Sequence, residues 1–275
     1  MRVLDSHVHL WDPSVLRYDW LDGRLARRFG VAERRDAEAE AGAAERACVF
    51  VQAECVVGDS LAEVDWVSGL APDLGVRGIV ARLAMEDRGG VQDELAALAE
   101  RPLVVGVRRL IQDEAPGFAS SDGFVAAARL VAQAGYTFDA CVRHHQLPEV
   151  IALADAVPEL RIVLDHLGKP DVSDAPSATW LRDLRALAER PHVTCKLSGL
   201  PAEAGDGWTP ERVTPFLDAA LDAFGPDRLL FGGDWPVSWP YADWEKFVRQ
   251  WIDTTAPDHA DAVFWTNAER SYQLA

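Results

Sequence analysis

Positive charge is scarce in this chain. Lys and Arg number 27 against 44 Asp and Glu, a formal net charge of −17. Binding a phosphate backbone needs a basic face, so nucleic acid is excluded as a natural partner. Long apolar runs are missing as well, and none approaches the roughly 18 residues a membrane span requires. No basic-then-apolar leader precedes the first strand-like residues, so the expected location is the cytoplasm, with no membrane partner. Only four cysteines occur, Cys48, Cys55, Cys141 and Cys195, with no CxxC spacing. That pattern offers neither a zinc-finger nor a disulfide framework and predicts buried, reduced thiols. A Gly-rich phosphate turn after the first apolar run is also absent, which argues against an open dinucleotide-binding sheet.

What the chain does have is rhythm. Eight short apolar runs recur, at residues 2–9, 47–53, 76–83, 103–110, 137–143, 161–167, 192–199 and 227–235. Most carry Val, Leu and Ile on both faces, as parallel strands covered on two sides require. Amphipathic stretches alternate with them. "SDGFVAAARLVAQAG" offers Ser121 or Asp122 as N-cap and Gly135 as a stop, and "LPEVIALADAVPEL" has Pro148 near a helix start. "SATWLRDLRALAERP" and "TPERVTPFLDAALDAFGP" repeat the pattern. Eight strand–helix pairs predict a (β/α)8 TIM-like barrel, one domain spanning residues 1–275. The connection at residues 11–46 is unusually long and follows the first strand, where a barrel carries its chemistry. Its aromatic first part suits a binding loop, and its Ala/Glu/Arg-rich second part suits a helix or a mobile segment.

The run "LDSHVHLW" ends in His7 and His9, two residues apart. On a strand such side chains share a face. Chance alone gives about 0.2 pairs of this kind in a chain of this composition, so the pair means little without company. The company is His166, closing the sixth run in "VLDHLGKP", and Asp234, closing the eighth in "LLFGGDWP". Both are expected at strand C-termini, where barrel enzymes place catalytic groups. Three imidazoles and a carboxylate suit one divalent metal or the activation of water.

This constellation resembles the amidohydrolase superfamily. More narrowly, "DSHVHLWDP", "YDWLDG", "VQAE", "GVRRLIQDE", "QLPEV", "DHLGKPD", "CKLSGL", "GGDWPVS" and "NAERSYQL" resemble the amidohydrolase-related branch containing lactone hydrolases of sugar acids and of pyrone dicarboxylate. The resemblance implies that Asp234 is the general base toward the attacking water. It implies that His7, His9 and His166 polarise the substrate carbonyl, directly or through a metal they share with Asp234. Two-metal members carry a bridging Lys or Glu on strand four and a His on strand five. Here those places read "GVRRL" and "TFDACVR", with His144 and His145 just beyond the latter. One metal, zinc first, or none is therefore the expectation.

Further polar residues fall at strand ends. Gln52 and Glu54 share a face on strand two, with Glu54 expected at the mouth. Of Arg108 and Arg109, Arg108 is expected to point inward. Lys196 and Ser198 share a face on strand seven, and Lys196 is either a substrate donor or an ion partner of the site. Asp139 is equally open between structure and function, and Cys195 is assigned to the core. Among ten tryptophans, Trp235 beside Asp234 is the leading candidate to stack on a substrate, with Trp11, Trp20 and Trp239 nearby in the loops. The expected reaction is hydrolysis of a small-molecule lactone, first a sugar-acid lactone and next a pyrone or muconolactone. A mononuclear-metal decarboxylase is the alternative, and a catalytically dead binding barrel is disfavoured by the intact histidine–aspartate set.

Overall fold

The computed structural model describes residues 2–86, 89–205 and 207–274. Eight parallel strands follow one another in a single sheet: β1 Arg2–Val8, β2 Glu45–Val51, β3 Val76–Arg82, β4 Val104–Leu110, β5 Thr137–Cys141, β6 Ile162–Leu164, β7 Val193–Leu197 and β8 Leu229–Phe231. The order β1 to β8 is sequential, as right-handed strand–helix–strand units dictate. The ring closes where the backbone beyond β8 meets β1. Val8 bridges Trp235, the Asp234 amide donates to the His7 carbonyl at 2.8 Å, and the His9 amide donates to the Trp235 carbonyl at 2.8 Å. The (β/α)8 barrel expected from the alternation of runs is therefore the fold.

Among the described residues, ten α-helices lie between and after the strands: α1 Val31–Ala39, α2 Ser60–Leu74, α3 Val91–Ala99, α4 Asp122–Gln133, α5 Leu147–Ala156, α6 Ala178–Ala188, α7 Leu200–Ala204, α8 Pro210–Phe224, α9 Tyr241–Thr255 and α10 Asn267–Tyr272. Ser121 caps α4 by accepting from the Phe124 amide, and Ser177 does the same for α6 from Trp180. Each such cap is worth about 1 kcal/mol.

The long connection after β1 folds down onto the barrel. Trp11 is fully buried and donates from Nε1 to the Arg27 carbonyl at 2.8 Å. Helix α1 occupies the Ala/Glu/Arg-rich part and sends Arg34 inward to Asp5 Oδ2 at 2.9 Å. Asp5 Oδ1 in turn accepts from the amides of His7 and Gly233, tying β1 to the segment after β8. A side chain at Gly233 would strike Tyr241 and Asp5 at 2.4 and 2.6 Å, so only glycine fits this seam. The loop is thereby part of the wall that positions the first histidines.

Two strands stop furthest short of the sequence expectation. β6 ends at Leu164 and β8 at Phe231, so His166 and Asp234 lie in turns just beyond their strands. Both turns run through left-handed backbone. His166, Leu167, Gly168 and Lys169 have φ of 54°, 54°, 72° and 46°, and Asp234 has φ of 50°. Left-handed backbone costs a non-glycine residue about 1–2 kcal/mol. Burial of Leu167 and a hydrogen bond from Trp180 Nε1 to the Leu167 carbonyl at 3.0 Å hold the first turn in place.

Candidate active site

His7, His9, His166 and Asp234 meet at the C-terminal mouth. Their convergence point is Asp234 Oδ1, which lies 3.7 Å from His7 Nε2, 3.6 Å from His9 Nε2 and 3.8 Å from His166 Nε2. Asp234 Oδ2 turns the other way and accepts from Ser238 Oγ at 2.8 Å, which fixes the carboxylate plane. His9 Nδ1 lies 2.8 Å from the Val51 carbonyl oxygen. A carbonyl only accepts, so His9 donates from Nδ1 and turns Nε2 to the centre. His166 Nδ1 is held by Ser198 Oγ at 2.8 Å. Gly199 makes room for that ring, since a Cβ there would lie 2.5 Å from it.

Burial sets the charges. It pushes His7 well below the usual imidazole range, with the Lys196 ammonium adding to the effect and Asp165 opposing it. It pushes His166 down to about 4, against the pull of Asp234 and Asp165. For Asp234 burial acts to raise the pKa, but the surrounding histidines, His166 foremost, outweigh it and hold the carboxyl well below its usual range. At neutral pH the centre is an ionised carboxylate facing uncharged His7 and His166 rings.

His9, His166 and Asp234, with His7 fully buried beside them, border a cavity of about 710 Å³. Its wall includes Glu54 and Arg108, as the sequence suggested, but several expected contacts lie elsewhere. Lys196 is fully buried beneath the floor, where its Nζ meets Asp139 Oδ2 at 2.5 Å, Asp165 Oδ1 at 2.9 Å and His7 Nδ1 at 3.0 Å. It does not line the cavity. It takes the ion-partner alternative, though toward Asp139 and Asp165, and Asp139 belongs with it.

Gln52 is also buried, and its amide is spent on Glu54: Nε2 donates to Glu54 Oε1, and its Oε1 accepts from the Glu54 amide, both at 2.7 Å. Trp235 sits behind the site, edge-on to Phe29 at 5.5 Å and beneath the Arg34 guanidinium. The reason is local: with Asp234 aimed inward, the next side chain leaves on the opposite side. The aromatic that does line the mouth is Trp20, 40% exposed, whose Nε1 donates to the Ala53 carbonyl at 2.8 Å.

Arg108 points inward and Arg109 outward. Arg108 Nη2 donates to the Gln52 carbonyl at 2.6 Å and Nη1 reaches Asp165 Oδ2 at 3.3 Å, whereas Arg109 pairs with Glu86 and Glu114. The sequence reading missed Arg82, Lys169, Glu203 and Cys141 on the wall. Arg82 ends β3 in register with Arg108, and Cys141 ends β5, so position at a strand terminus was the available signal. Lys169 and Glu203 stand in turns that strand patterns do not reach. At the end of β5 the histidines His144 and His145 miss the cavity wall, and Cys141 takes that place.

The donor set suits a divalent ion. His7, His166 and Asp234 bring ligand atoms within 4.8 Å of one another, His9 stands beside them, and all four are buried. Cys141, Asp165 and His166 are similarly close, but Asp165 is already engaged by Arg108 and Lys196.

Comparison with known proteins agrees with this geometry. The amidohydrolase family model matches residues 4–274. This chain belongs to the amidohydrolase family. The L-fucono-1,5-lactonase of Burkholderia ambifaria is 32% identical to it, over 98% of this chain and 95% of the relative. A 2-pyrone-4,6-dicarboxylate hydrolase of Comamonas testosteroni is 29% identical over 85% of this chain and 76% of its own. Among solved structures, an amidohydrolase from Burkholderia multivorans with bound zinc superposes with a TM-score of 0.88 at 31% identity, covering 100% of both chains. The barrel is thus an amidohydrolase-family enzyme.

Proposed function

We propose that this amidohydrolase opens an uncharged, polyhydroxylated sugar-acid lactone with water. The observation that carries the reading is one carboxylate oxygen, Asp234 Oδ1, faced by three imidazoles at the floor of a cavity whose wall is net acidic. Water positioned at Asp234 Oδ1 gives its proton to the carboxylate as its oxygen bonds to the lactone carbonyl carbon. Negative charge moves onto the carbonyl oxygen, which faces imidazole N–H groups and the Arg108 guanidinium. Each well-aimed donor there is worth about 3 kcal/mol. The ring C–O bond then breaks, Asp234 returns its proton to the departing oxygen, and a hydroxy acid leaves. A divalent ion held by the imidazoles and Asp234, zinc by likeness to the zinc-bound relative, would add Lewis-acid polarisation of the same carbonyl.

The acidic wall selects the sugar reading over a carboxylated pyrone. Asp19, Glu54, Asp113 and Glu203 join Asp234 there, against Arg82, Arg108 and Lys169. Arg108 is already bonded to Gln52 and Asp165, and Lys169 to Gln112 Oε1 at 2.6 Å with Glu203 at 3.6 Å. A dicarboxylate would meet more negative than positive charge, whereas hydroxyls bond well to carboxylates. Trp20 offers a flat face to the apolar side of a sugar ring. A pH-indicator screen of neutral sugar-acid lactones against pyrone dicarboxylates and muconolactones, with and without chelator, tests this. Turnover of the neutral lactones is expected. Turnover confined to carboxylated rings, or carbon dioxide as a product, would overturn it.

A further inference from the structure

We propose that the barrel carries a second binding site, at its N-terminal end, for a small oxyanion of the size and charge of inorganic phosphate. Three neighbouring strands build it from the ends opposite the mouth. Arg161 precedes β6, His192 precedes β7, Thr194 stands second in β7, and Arg228 precedes β8. Arg270 and Ser271 of α10 join them around a cavity of about 180 Å³. A water takes about 30 Å³, so the space suits one small ion with a few waters. The chain as a whole has a net charge of −17, yet three guanidiniums border this cavity and, among the described residues, no carboxylate does. Its sign is the reverse of the wall around Asp234.

Two independent observations point to a ligand. The first is uncompensated charge, because the hydrogen bonds of all three arginines go to neutral acceptors. Arg161 Nη2 donates to the Gly135 carbonyl. Arg228 donates from Nε to the Phe224 carbonyl at 3.2 Å and from Nη1 to the carbonyls of Arg190 and Val193 at 3.1 and 3.3 Å. Arg270 Nη2 donates to the Asp227 carbonyl and to Asn267 Oδ1, the latter at 2.8 Å. Burial pulls the Arg161 and Arg228 guanidiniums below the usual arginine range, and no carboxylate offsets it. Asp155, which acts on His192 through space, is itself held by Arg190 at 2.8 Å.

The second observation is four buried polar atoms without a hydrogen-bond partner among the described residues: Arg161 Nε, His192 Nε2, Thr194 Oγ1 and Ser271 Oγ. Ser271 is only 8% exposed. Folded proteins rarely leave such groups unmet, and four around one small cavity call for an occupant with several acceptors. A tetrahedral oxyanion answers both needs. Its oxygens accept from the guanidinium forks and from the two hydroxyls. His192 Nε2 donates to it once protonated, or accepts from the hydroxyl of hydrogen phosphate. Water alone would leave the gathered positive charge uncompensated.

The test is isothermal titration calorimetry of the full-length protein with inorganic phosphate, at constant ionic strength in a buffer free of phosphate and sulfate. Saturable binding to the wild type is expected, and none with sodium chloride. Arg161→Met is expected to weaken phosphate binding by at least about 10-fold, through loss of a charge-assisted fork. Phosphate at about 100 times its dissociation constant is expected to raise the thermal midpoint of the wild type by about 5 °C, and that of Arg161→Met by much less. Absence of saturable binding to the wild type, or an affinity unchanged in Arg161→Met, would overturn the proposal. If Arg161→Met fails to fold, the exposed Arg270→Met makes the same comparison with the same expected direction. No lactone enters these measurements, so failure of the lactone reading leaves their outcome unaffected.

Discussion

Glu54 shows how one residue is held at the cavity wall. Its backbone sits at φ 55°, and the Gln52 side chain grips both its amide and its carboxylate. Strain of this kind, about 1–3 kcal/mol, persists where the surroundings over-determine a conformation, as they do here at the cavity mouth. If the carboxylate accepts from substrate hydroxyls, Glu54→Gln weakens a charge-assisted hydrogen bond. The expected result is a KM raised about 10-fold with kcat changed less than about threefold, read from initial rates.

The same scale shows what the sequence could reveal. His7, His9 and Glu54 were legible because strand alternation dictates which neighbours share a face, and the same alternation lets only one of Arg108 and Arg109 point inward. Trp235 was misjudged as a substrate contact, and Lys196 was left open between substrate donor and ion partner, for two different reasons. Adjacency to Asp234 put Trp235 on the wrong side of the backbone. The depth of Lys196 below the mouth, where Asp139 and Asp165 balance its charge, has no trace in the strand pattern.

At the scale of elements, the turn after β6 is the most constrained piece of the site. Four successive left-handed residues carry His166, and Gly199 at φ 73° leaves the space its ring fills. Gly199→Ala would place a methyl group 2.5 Å from the imidazole and strain the backbone as well. A fall in kcat/KM of at least about 100-fold is expected in a protein that still folds, measured against circular dichroism of the same sample. This turn was illegible beforehand, because left-handed non-glycine backbone is imposed by tertiary packing and not by local preference. The strands, by contrast, were legible because two-sided burial writes itself as unbroken apolar runs.

Helix α2 supplies a second test at this scale. Glu63 is buried, accepts from the Ala53 amide at 3.2 Å and from Tyr18 Oη at 3.3 Å, and so joins the long loop to the end of β2. Burial raises its pKa to about 7, against the opposing pull of those hydrogen bonds. A carboxyl with a raised pKa in the folded state binds its proton more tightly there. Its contribution is fully present below about 4.5 and is lost as pH rises through about 7. Glu63→Gln keeps the acceptor and abolishes that loss. The variant is expected to be more stable than wild type at pH 8 by about 3 kcal/mol and nearly equal at pH 4, by denaturant titration at both. Equal stability differences at the two values would contradict the assignment.

Across the whole molecule, fold and chemistry meet at one seam. The ring closes through the His7 carbonyl and the Asp234 amide, so the bond that completes the barrel also brings the first histidines to the Asp234 carboxylate. None of the described helices is long and apolar enough to cross a membrane. The net charge of −17 recurs in miniature on the cavity wall, where carboxylates outnumber cations. That shared sign is the argument for an uncharged substrate, and it became visible only once the turns carrying Lys169 and Glu203 were placed.

The decisive measurement is the rate of neutral sugar-acid lactone hydrolysis by wild type and by Asp234→Asn, with both proteins shown to be folded. The account predicts turnover by wild type and a loss of at least about 1,000-fold in kcat in the variant, which keeps the shape but cannot take the proton of water. Near-equal rates for the two proteins would contradict it.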